Sequence, residues 1–384
     1  MAVIPDHLVG LNPPQMEAVT TVDGPLLILA GAGSGKTRVL TRRVAHLLHS
    51  GVAPWNLLAV TFTNKAAKEM RARVAEWAGD RADRLWVSTF HSACARLLRI
   101  EADAAGYTRQ FVIYDDDDQM RLLRHILDDL GIDKKREPPQ KFRNRIDRSK
   151  NALKTLEEIT LESPPPSRLP KVYAEYERRL KAANAMDFND LINVVVRMFQ
   201  EKPEVLARWQ DRFRYLLVDE YQDTNRAQYE LIRLLAGAHR NLAVVGDDDQ
   251  SIYSFRGADI QNILDFERDW PDAKVVLLEQ NYRSTGHILS AAGAVVRHNR
   301  GRKEKTLWTA AEKGDRIQEI VGHSQEHEAE QIVEAIHRHR ASGTSANEIA
   351  LIYRTNAHSR PLEQALQRSR TPYVVVGARR FYER

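Results

Sequence analysis

The 384-residue chain reads as an α/β protein: a parallel sheet covered by helices, interrupted by an α-helical insertion and followed by part of a second α/β lobe. Three observations predict this. Short apolar runs alternate with amphipathic segments from Leu26 to Val87, the rhythm of parallel strands joined by helical crossovers. That rhythm stops between about Tyr107 and Asp187, where the chain turns helical and basic and is broken by Glu137-Pro138-Pro139 and Ser163-Pro164-Pro165-Pro166. Strands resume at Tyr215, Leu242 and Val275, and a further alternating region begins near Ser284.

The first strand, Leu26 to Leu29, runs into Ala30, Gly31, Ala32, Gly33, Ser34, Gly35, Lys36 and Thr37, and a helix opens with Arg38. Strand, glycine loop and helix make the frame a P-loop needs. The glycines let backbone N–H groups turn around phosphate oxygens, and the helix presents its positive end. Lys36 is then placed for the β and γ phosphates and Thr37 for Mg²⁺. Ala30 stands at the loop's usual first glycine, which is tolerable if that position has ordinary backbone angles.

Helix 38–49, strand Leu57 to Thr61 and helix 65–77 follow, then the insertion, then the apolar strand Tyr215 to Val218. Asp219-Glu220-Tyr221-Gln222-Asp223 leaves that strand at the edge where open α/β sheets bind ligands. Asp219 suits the Mg²⁺ shell, and Glu220 suits orienting and deprotonating an attacking water. Alone, this pair reads equally as a solvated acidic turn. With the P-loop upstream it becomes the second half of an ATP site.

The last region predicts helix 285–298, strand Ile317 to Val321, helix 326–340 and strands Ile349 to Tyr353 and Tyr373 to Val376, ending at Phe381-Tyr382-Glu383-Arg384. These are too few strands for a sheet of mean size, about 5–6. A truncated chain is therefore expected.

An apolar fraction of 43% and a charged fraction of 28% describe a folded globular chain. The net charge of +5 permits a polyanionic partner without requiring one. Met1 to Asp6 lacks the basic start of a signal peptide, and no run approaches the ~20 apolar residues of a membrane span. A cytoplasmic protein without membrane contact is expected. The single cysteine, Cys94, excludes an internal disulfide and a cysteine-rich zinc site. His91 precedes it by three residues, leaving a Cys/His nucleophile or, preferably, a reduced helix cysteine packed in the core.

Further motifs accompany the ATP site. Leu11-Asn12-Pro13-Pro14-Gln15 precedes the P-loop; Thr61-Phe62-Thr63-Asn64-Lys65-Ala66-Ala67 and Ser88-Thr89-Phe90-His91-Ser92 follow it. After the acidic run come Val245-Gly246-Asp247-Asp248-Asp249-Gln250-Ser251-Ile252-Tyr253 and Gln280-Asn281-Tyr282-Arg283-Ser284. In this order they resemble the superfamily 1 DNA helicases of the UvrD/Rep/PcrA type, over essentially the whole chain. The resemblance implies a RecA-like P-loop NTPase lobe at 1–106 and 188–283, a DNA-contacting helical insertion at 107–187 and a partial second RecA-like lobe at 284–384. It implies that Gln15 reads the adenine edge, Tyr282 stacks on adenine, Arg283 reaches the γ-phosphate and Gln250 senses that phosphate and relays its presence to DNA. Phe255 stands where many relatives carry tryptophan, offering a smaller face for a base, and Arg256 pairs with Glu220 in relatives.

For single-stranded DNA, Thr61, Phe62, Thr63 and Asn64 combine hydroxyls, a helix start and an aromatic; Thr89, Phe90 and His91 form a second station. Without the resemblance, Phe62 and Phe90 read better as core. The densest basic segment, Lys134 to Lys150, contains Arg143 and Arg145 and reads either as a phosphate-facing surface or as a solvated face. Asp115 to Asp118 read as acids complementing the start of helix 119–130 rather than as a metal site.

The resemblance implies an ATP- and Mg²⁺-dependent 3′-to-5′ DNA translocase and helicase in DNA repair or replication restart. Its partners are single-stranded DNA, single/double-strand junctions and DNA-repair proteins. Relatives continue beyond this chain with a second-lobe insertion, a DNA-contact motif and a second phosphate-contacting arginine that have no counterpart here, so the full activity of this chain alone stays open. The rival reading is a nucleotide-gated single-strand-binding module with little or no unwinding. A small-molecule kinase leaves Gln15, Gln250 and Tyr282-Arg283 unexplained.

Overall fold

The computed structural model describes residues 5–299 and 301–376. The chain divides into two compact units, 1–314 and 315–384. The first contains β1 (Leu26–Ala30), β2 (Leu57–Thr61), β3 (Trp86–Thr89), β4 (Val112–Ile113), β5 (Ala185–Met186), β6 (Tyr215–Val218), β7 (Leu242–Gly246) and β8 (Lys274–Leu278). Six of these form one parallel sheet in the order β3-β2-β6-β7-β1-β8, with β4 and β5 paired apart from it. Leu27 pairs with Val244 on one side and Val275 on the other, and Leu217 with Ala59 and Ala243. Because every strand of the sheet runs the same way, the loops after β1, β6 and β7 leave from one edge.

β1 is buried along its whole length, as a strand covered on both faces must be. Leu27 and Leu29 enter a core with Trp86, Phe90, Trp209 and Phe213, while Leu26 and Ile28 enter another with Val39, Leu40 and Met70. The covering helices are α1 (Pro13–Thr20), α2 (Lys36–His49), α3 (Asn64–Ala78) and α4 (Phe90–Ile100).

Between β3 and β6 lie α5 (Asp116–Asp129), α6 (Pro139–Asn151), α7 (Leu156–Leu161) and α8 (Leu169–Ala182), then α9 (Asp190–Glu201) and α10 (Pro203–Arg212). Helices α5, α6 and α8 share a core of Leu123, Leu127, Phe142, Ile146, Val172 and Tyr176. Asp115 caps α5, its Oδ1 accepting from Asp117 N and Asp118 N at 2.9 Å. The acidic run is thus a helix start, as expected from the helix dipole.

α11 (Arg226–Ala236), the short α12 (Gln261–Leu264) and α13 (Phe266–Asp269), and α14 (Gly286–Val296) complete the helices of this unit. Residues 284–314, placed by sequence in the second lobe, pack within the first unit.

In the second unit, α15 (Gln325–Ala341) and α16 (Ser359–Arg368) pack through Ala329, Val333, Ile336, Ala365 and Leu366. The strands expected at Ile317 to Val321, Ile349 to Tyr353 and Tyr373 to Val376 do not form: among the described residues these segments join no ladder. Ile352 is 95% exposed. Branched side chains favour a pleated surface, but a strand exists only where a neighbour supplies the matching N–H and C=O groups. Phe381 to Arg384 lie outside the described residues. Among the described residues no helix is long and apolar enough to cross a membrane.

Candidate nucleotide and nucleic-acid site

At the end of β1 the chain makes a tight loop. Gly33 and Gly35 have φ of +71° and +94°, left-handed values that a side chain would strain. Ser34 closes the turn, its N and Oγ both donating to Gly31 O at 3.2 and 2.8 Å. Ala30 is the last residue of the buried strand, so a side chain is accommodated there. Gly35 caps α2, whose first turn carries Lys36, Thr37 and Arg38 and aims its positive end at the loop. Arg38 itself turns away, its Nη2 donating to Gly10 O at 2.8 Å.

Lys36 Nζ lies 3.2 Å from Glu220 Oε2. It is buried and lacks an aligned hydrogen-bond acceptor. A buried ammonium in this condition fits an anionic group arriving between loop and carboxylate. Glu220 adopts φ +49°, a strained left-handed backbone held by Gln222 Nε2, which donates to Glu220 Oε2 at 2.9 Å.

Asp219 is buried behind Glu220, and its carboxyl is pushed up to about 7 by burial and by the Glu220 charge, against the pull of Lys36. Burial and Glu220 likewise push Asp223 up to about 6. A dication would relieve this crowding of carboxylates. Asp219 and the Thr37 hydroxyl are hard oxygen donors that fit Mg²⁺ chemistry.

The other wall of the loop is built from 280–284. Tyr282 N donates to Gly33 O at 2.9 Å and Asn281 Nδ2 to Ala32 O at 2.6 Å, so this segment is bonded directly onto the phosphate loop. Asn281 Oδ1 accepts from Arg283 N and Ser284 N at 2.9 and 2.8 Å. The turn leaves Tyr282 53% exposed. Gln15 is buried, and its carboxamide is engaged at both ends: Nε2 donates to Ser34 O at 2.9 Å, and Oε1 accepts from Asn12 N at 3.3 Å. Gln15 therefore braces the phosphate loop here. Asn12, which carried no sequence expectation, caps α1 and donates to Tyr282 Oη at 2.9 Å. Its signal was present as the capping box Asn12-x-x-Gln15.

Gln250 lies in the loop after β7, where its Nε2 donates to Asp247 Oδ2 at 2.5 Å. Asp247 N in turn donates to Gln222 Oε1 at 3.0 Å. Gln222, unassigned by sequence, thus joins the Gln250 loop to Glu220. A carboxamide set among acids is the cue it offered.

The expected nucleic-acid residues divide. Thr63 and Thr89 cap α3 and α4, accepting from Ala66 N and Ser92 N at 3.1 and 3.2 Å. Thr61 is buried, its Oγ1 donating to Thr63 O at 3.1 Å, while Asn64 is exposed. Phe62 is half-buried, edge-on to Phe90 at 5.8 Å. Phe90 is 2% exposed and belongs to the core, so its aromatic face is covered by protein rather than offered to a base. His91 stacks on the exposed Phe188 at 3.9 Å, and burial lowers its pKa to about 4, keeping the ring neutral. Phe255 is 70% exposed beside Tyr253. The Arg256 side chain lies outside the described residues.

Two features of the basic segment bear on its expected role. Arg143 is bound to Asp116 and lies 3.7 Å from Asp147, and Arg145 Nη2 donates to Ser163 Oγ at 2.9 Å. Both guanidinium groups make these contacts within the insertion. Lys150 is fully buried, 2.6 Å from Glu177 and Asp187 and 2.7 Å from Asp190, and ties α6 to α8 and α9. Cys94 is buried in the core, which pushes its thiol up and leaves no nucleophile.

Residues 11–271 match the family described as the UvrD/REP helicase N-terminal domain, and residues 276–384 match the UvrD-like helicase C-terminal domain. An ATP-dependent DNA helicase PcrA of Staphylococcus epidermidis is 51% identical over 378 residues, covering 98% of this chain and 52% of that protein. One from Staphylococcus aureus is 49% identical over 377 residues, covering 97% and 52%. The chain spans about half the length of the curated relatives it matches.

Proposed function

The chain belongs to the UvrD/REP helicase family, and from that premise we propose that it is the ATP-driven motor of a DNA translocase and helicase moving 3′ to 5′ on single-stranded DNA. The observation that carries this reading is the buried Lys36 ammonium, 3.2 Å from Glu220 and without an aligned acceptor, at the sheet edge that also carries Asp219. Lys36 receives the β and γ phosphates of ATP and so releases Glu220 to orient and deprotonate the attacking water. Thr37 and Asp219 would hold Mg²⁺, which would neutralise charge on the phosphates. Tyr282 offers its ring to the adenine beside Gln15, Arg283 reaches the γ-phosphate, and Gln250 reports it through Asp247.

DNA runs over the exposed Asn64 at the α3 start and the exposed Phe255, with the half-buried Phe62 and His91 beside its path. Residues 1–106 and 188–283 form the first RecA-like lobe, with 284–314 packed in the same unit, 107–187 form the insertion, and 315–384 belong to part of a second lobe. The work is done in the cytoplasm, at single/double-strand junctions, in repair or replication restart alongside DNA-repair proteins.

A strand-displacement assay tests the reading with duplexes carrying a 3′ or a 5′ single-stranded tail. ATP-dependent unwinding of the 3′-tailed duplex alone is expected. Equal unwinding of both tails overturns the polarity, and nucleotide-dependent DNA binding with neither duplex opened favours a binding module instead.

A further inference from the structure

After α14 the chain returns towards the phosphate loop, and the four residues Lys305 to Trp308 touch three separate parts of the nucleotide site. Lys305 Nζ lies 3.0 Å from Asp247 Oδ1 and 2.8 Å from Asp249 Oδ2, and donates to Asp248 Oδ1. Thr306 N donates to Glu279 Oε1 at 2.6 Å. Leu307 sits so close to the phosphate loop that a Cβ on Gly31 would stand 2.2 Å from its Cδ2. Trp308 N donates to Glu279 O at 3.0 Å, and Asn281 N donates to Trp308 O at 2.7 Å.

The charges make this contact more than packing. Asp247, Asp248 and Asp249 converge as a cation cage, and the ammonium of Lys305 fills it. The Lys305 side chain is 1% exposed, and those of the three aspartates no more than 7%. Burial alone would favour neutral lysine; the Asp247 charge and the bonds to its neighbours outweigh it and raise its pKa. Arg302 adds a second cation 2.8 Å from Asp249, and Lys303 N donates to Asp248 Oδ2 at 2.8 Å.

Asp247 is the shared member. Lys305 stands against its Oδ1 while Gln250 donates to its Oδ2, and its N–H reaches Glu220 through Gln222. Fixing Asp247 therefore fixes Gln250 through its carboxylate and, through its backbone N–H, the Gln222 side chain that holds Glu220.

We propose that Lys305 is a positioning residue for ATP turnover, and that the Lys305–Trp308 segment straps the Gln250 loop, the phosphate loop and the Tyr282–Arg283 turn into one unit. This rests on the ATP-hydrolysis reading above. Lys305 touches neither nucleotide nor water; it acts through Asp247 on Gln250 and Glu220. Its loss impairs the chemical step more than ATP binding, because Lys36 and the glycine loop are left in place.

The test compares the full chain with Lys305→Met, with Lys305→Met combined with Asp248→Asn to remove the uncompensated charge, and with Lys303→Met as a nearby control. Two readouts are taken: DNA-stimulated ATP turnover, split into kcat and KM, and amide hydrogen exchange. For the double variant we expect kcat to fall at least tenfold with KM for ATP changed less than threefold. Exchange should rise at 222 and 247–251 while the sheet strands stay protected, and Lys303→Met should match the parent. Unchanged kcat, or kcat and KM moving together with exchange rising across the sheet, overturns the proposal and leaves Lys305 a stabilising residue only. If the parent chain does not hydrolyse ATP, the functional reading fails, and the exchange pattern alone decides the strap: rising protection loss confined to 222 and 247–251 supports it, and unchanged exchange there overturns it.

Discussion

Lys36 Nζ and Glu220 Oε2 face each other at 3.2 Å across the sheet edge, joining residues that stand in separate motifs of the chain. The Lys36 ammonium is buried but the Glu220 side chain is open to solvent, which screens the pair, so its worth to the fold is small, about 0–1 kcal/mol. Lys36→Ala should therefore melt close to the parent while losing ATP binding. Fluorescent-nucleotide titration checks this; unchanged affinity removes Lys36 from the site.

Gly33 combines φ +71° with close neighbours: a Cβ there would lie 2.6 Å from Asn281 Nδ2 and 2.7 Å from Arg283 Cβ. Gly33→Ala should cost about 1–3 kcal/mol in stability and weaken nucleotide binding as the Asn281 bond to Ala32 is displaced. Urea denaturation with and without ATP measures both. Parent-like stability would mean the loop relaxes freely.

Two phenylalanines expected from sequence to stack on bases should behave differently. Phe255→Ala, at an exposed ring, should lower single-strand affinity by about 1–3 kcal/mol with little change in melting. Phe90→Ala empties a core position and should cost about 3–5 kcal/mol in stability. A DNA-affinity loss in Phe90→Ala without destabilisation would contradict the buried placement.

Arg143 and Arg145 are bonded to Asp116, Asp147, Ser163 and Ser167 within the insertion. Replacing both with alanine should cost about 1–2 kcal/mol in stability. The slope of log affinity for DNA against log salt should change by less than one, because neither releases a phosphate counterion. A slope reduced by two would return them to the DNA surface.

Asp147 carries a pH signature. Burial and Asp187 push its carboxyl up to about 6 from 3.8, against Arg143 and Lys150. A folded-state pKa above the unfolded value favours the protonated form, so its contribution is complete below about pH 4 and lost as pH rises through about 6. Between pH 4 and 7, Asp147→Asn should gain about 1–3 kcal/mol relative to the parent. Parallel stability curves would contradict this.

Local patterns carried most of what was legible. The glycine loop, the acidic strand end and the strands of the sheet announce themselves within a few residues, because strand, turn and helix each leave a short-range signature. The order β3-β2-β6-β7-β1-β8 does not, since nothing in β6 names β2 as its neighbour. Charge runs misled for the same reason: Lys150 looks like its basic neighbours until α8 and α9 bring three carboxylates to it. Lys305 was silent because its aspartates lie 56 to 58 positions earlier in the chain. In the second unit, β-branched runs at 349–353 and 373–376 promised strands, and pairing decided otherwise.

ATP hydrolysis by the purified chain, with and without single-stranded DNA and with Glu220→Gln beside it, tests the central claim most directly. The account predicts turnover stimulated by DNA in the parent and lowered at least a hundredfold in Glu220→Gln, whose ATP affinity is retained. Turnover in Glu220→Gln equal to the parent's, or no turnover in a parent that binds both ATP and DNA, would contradict it.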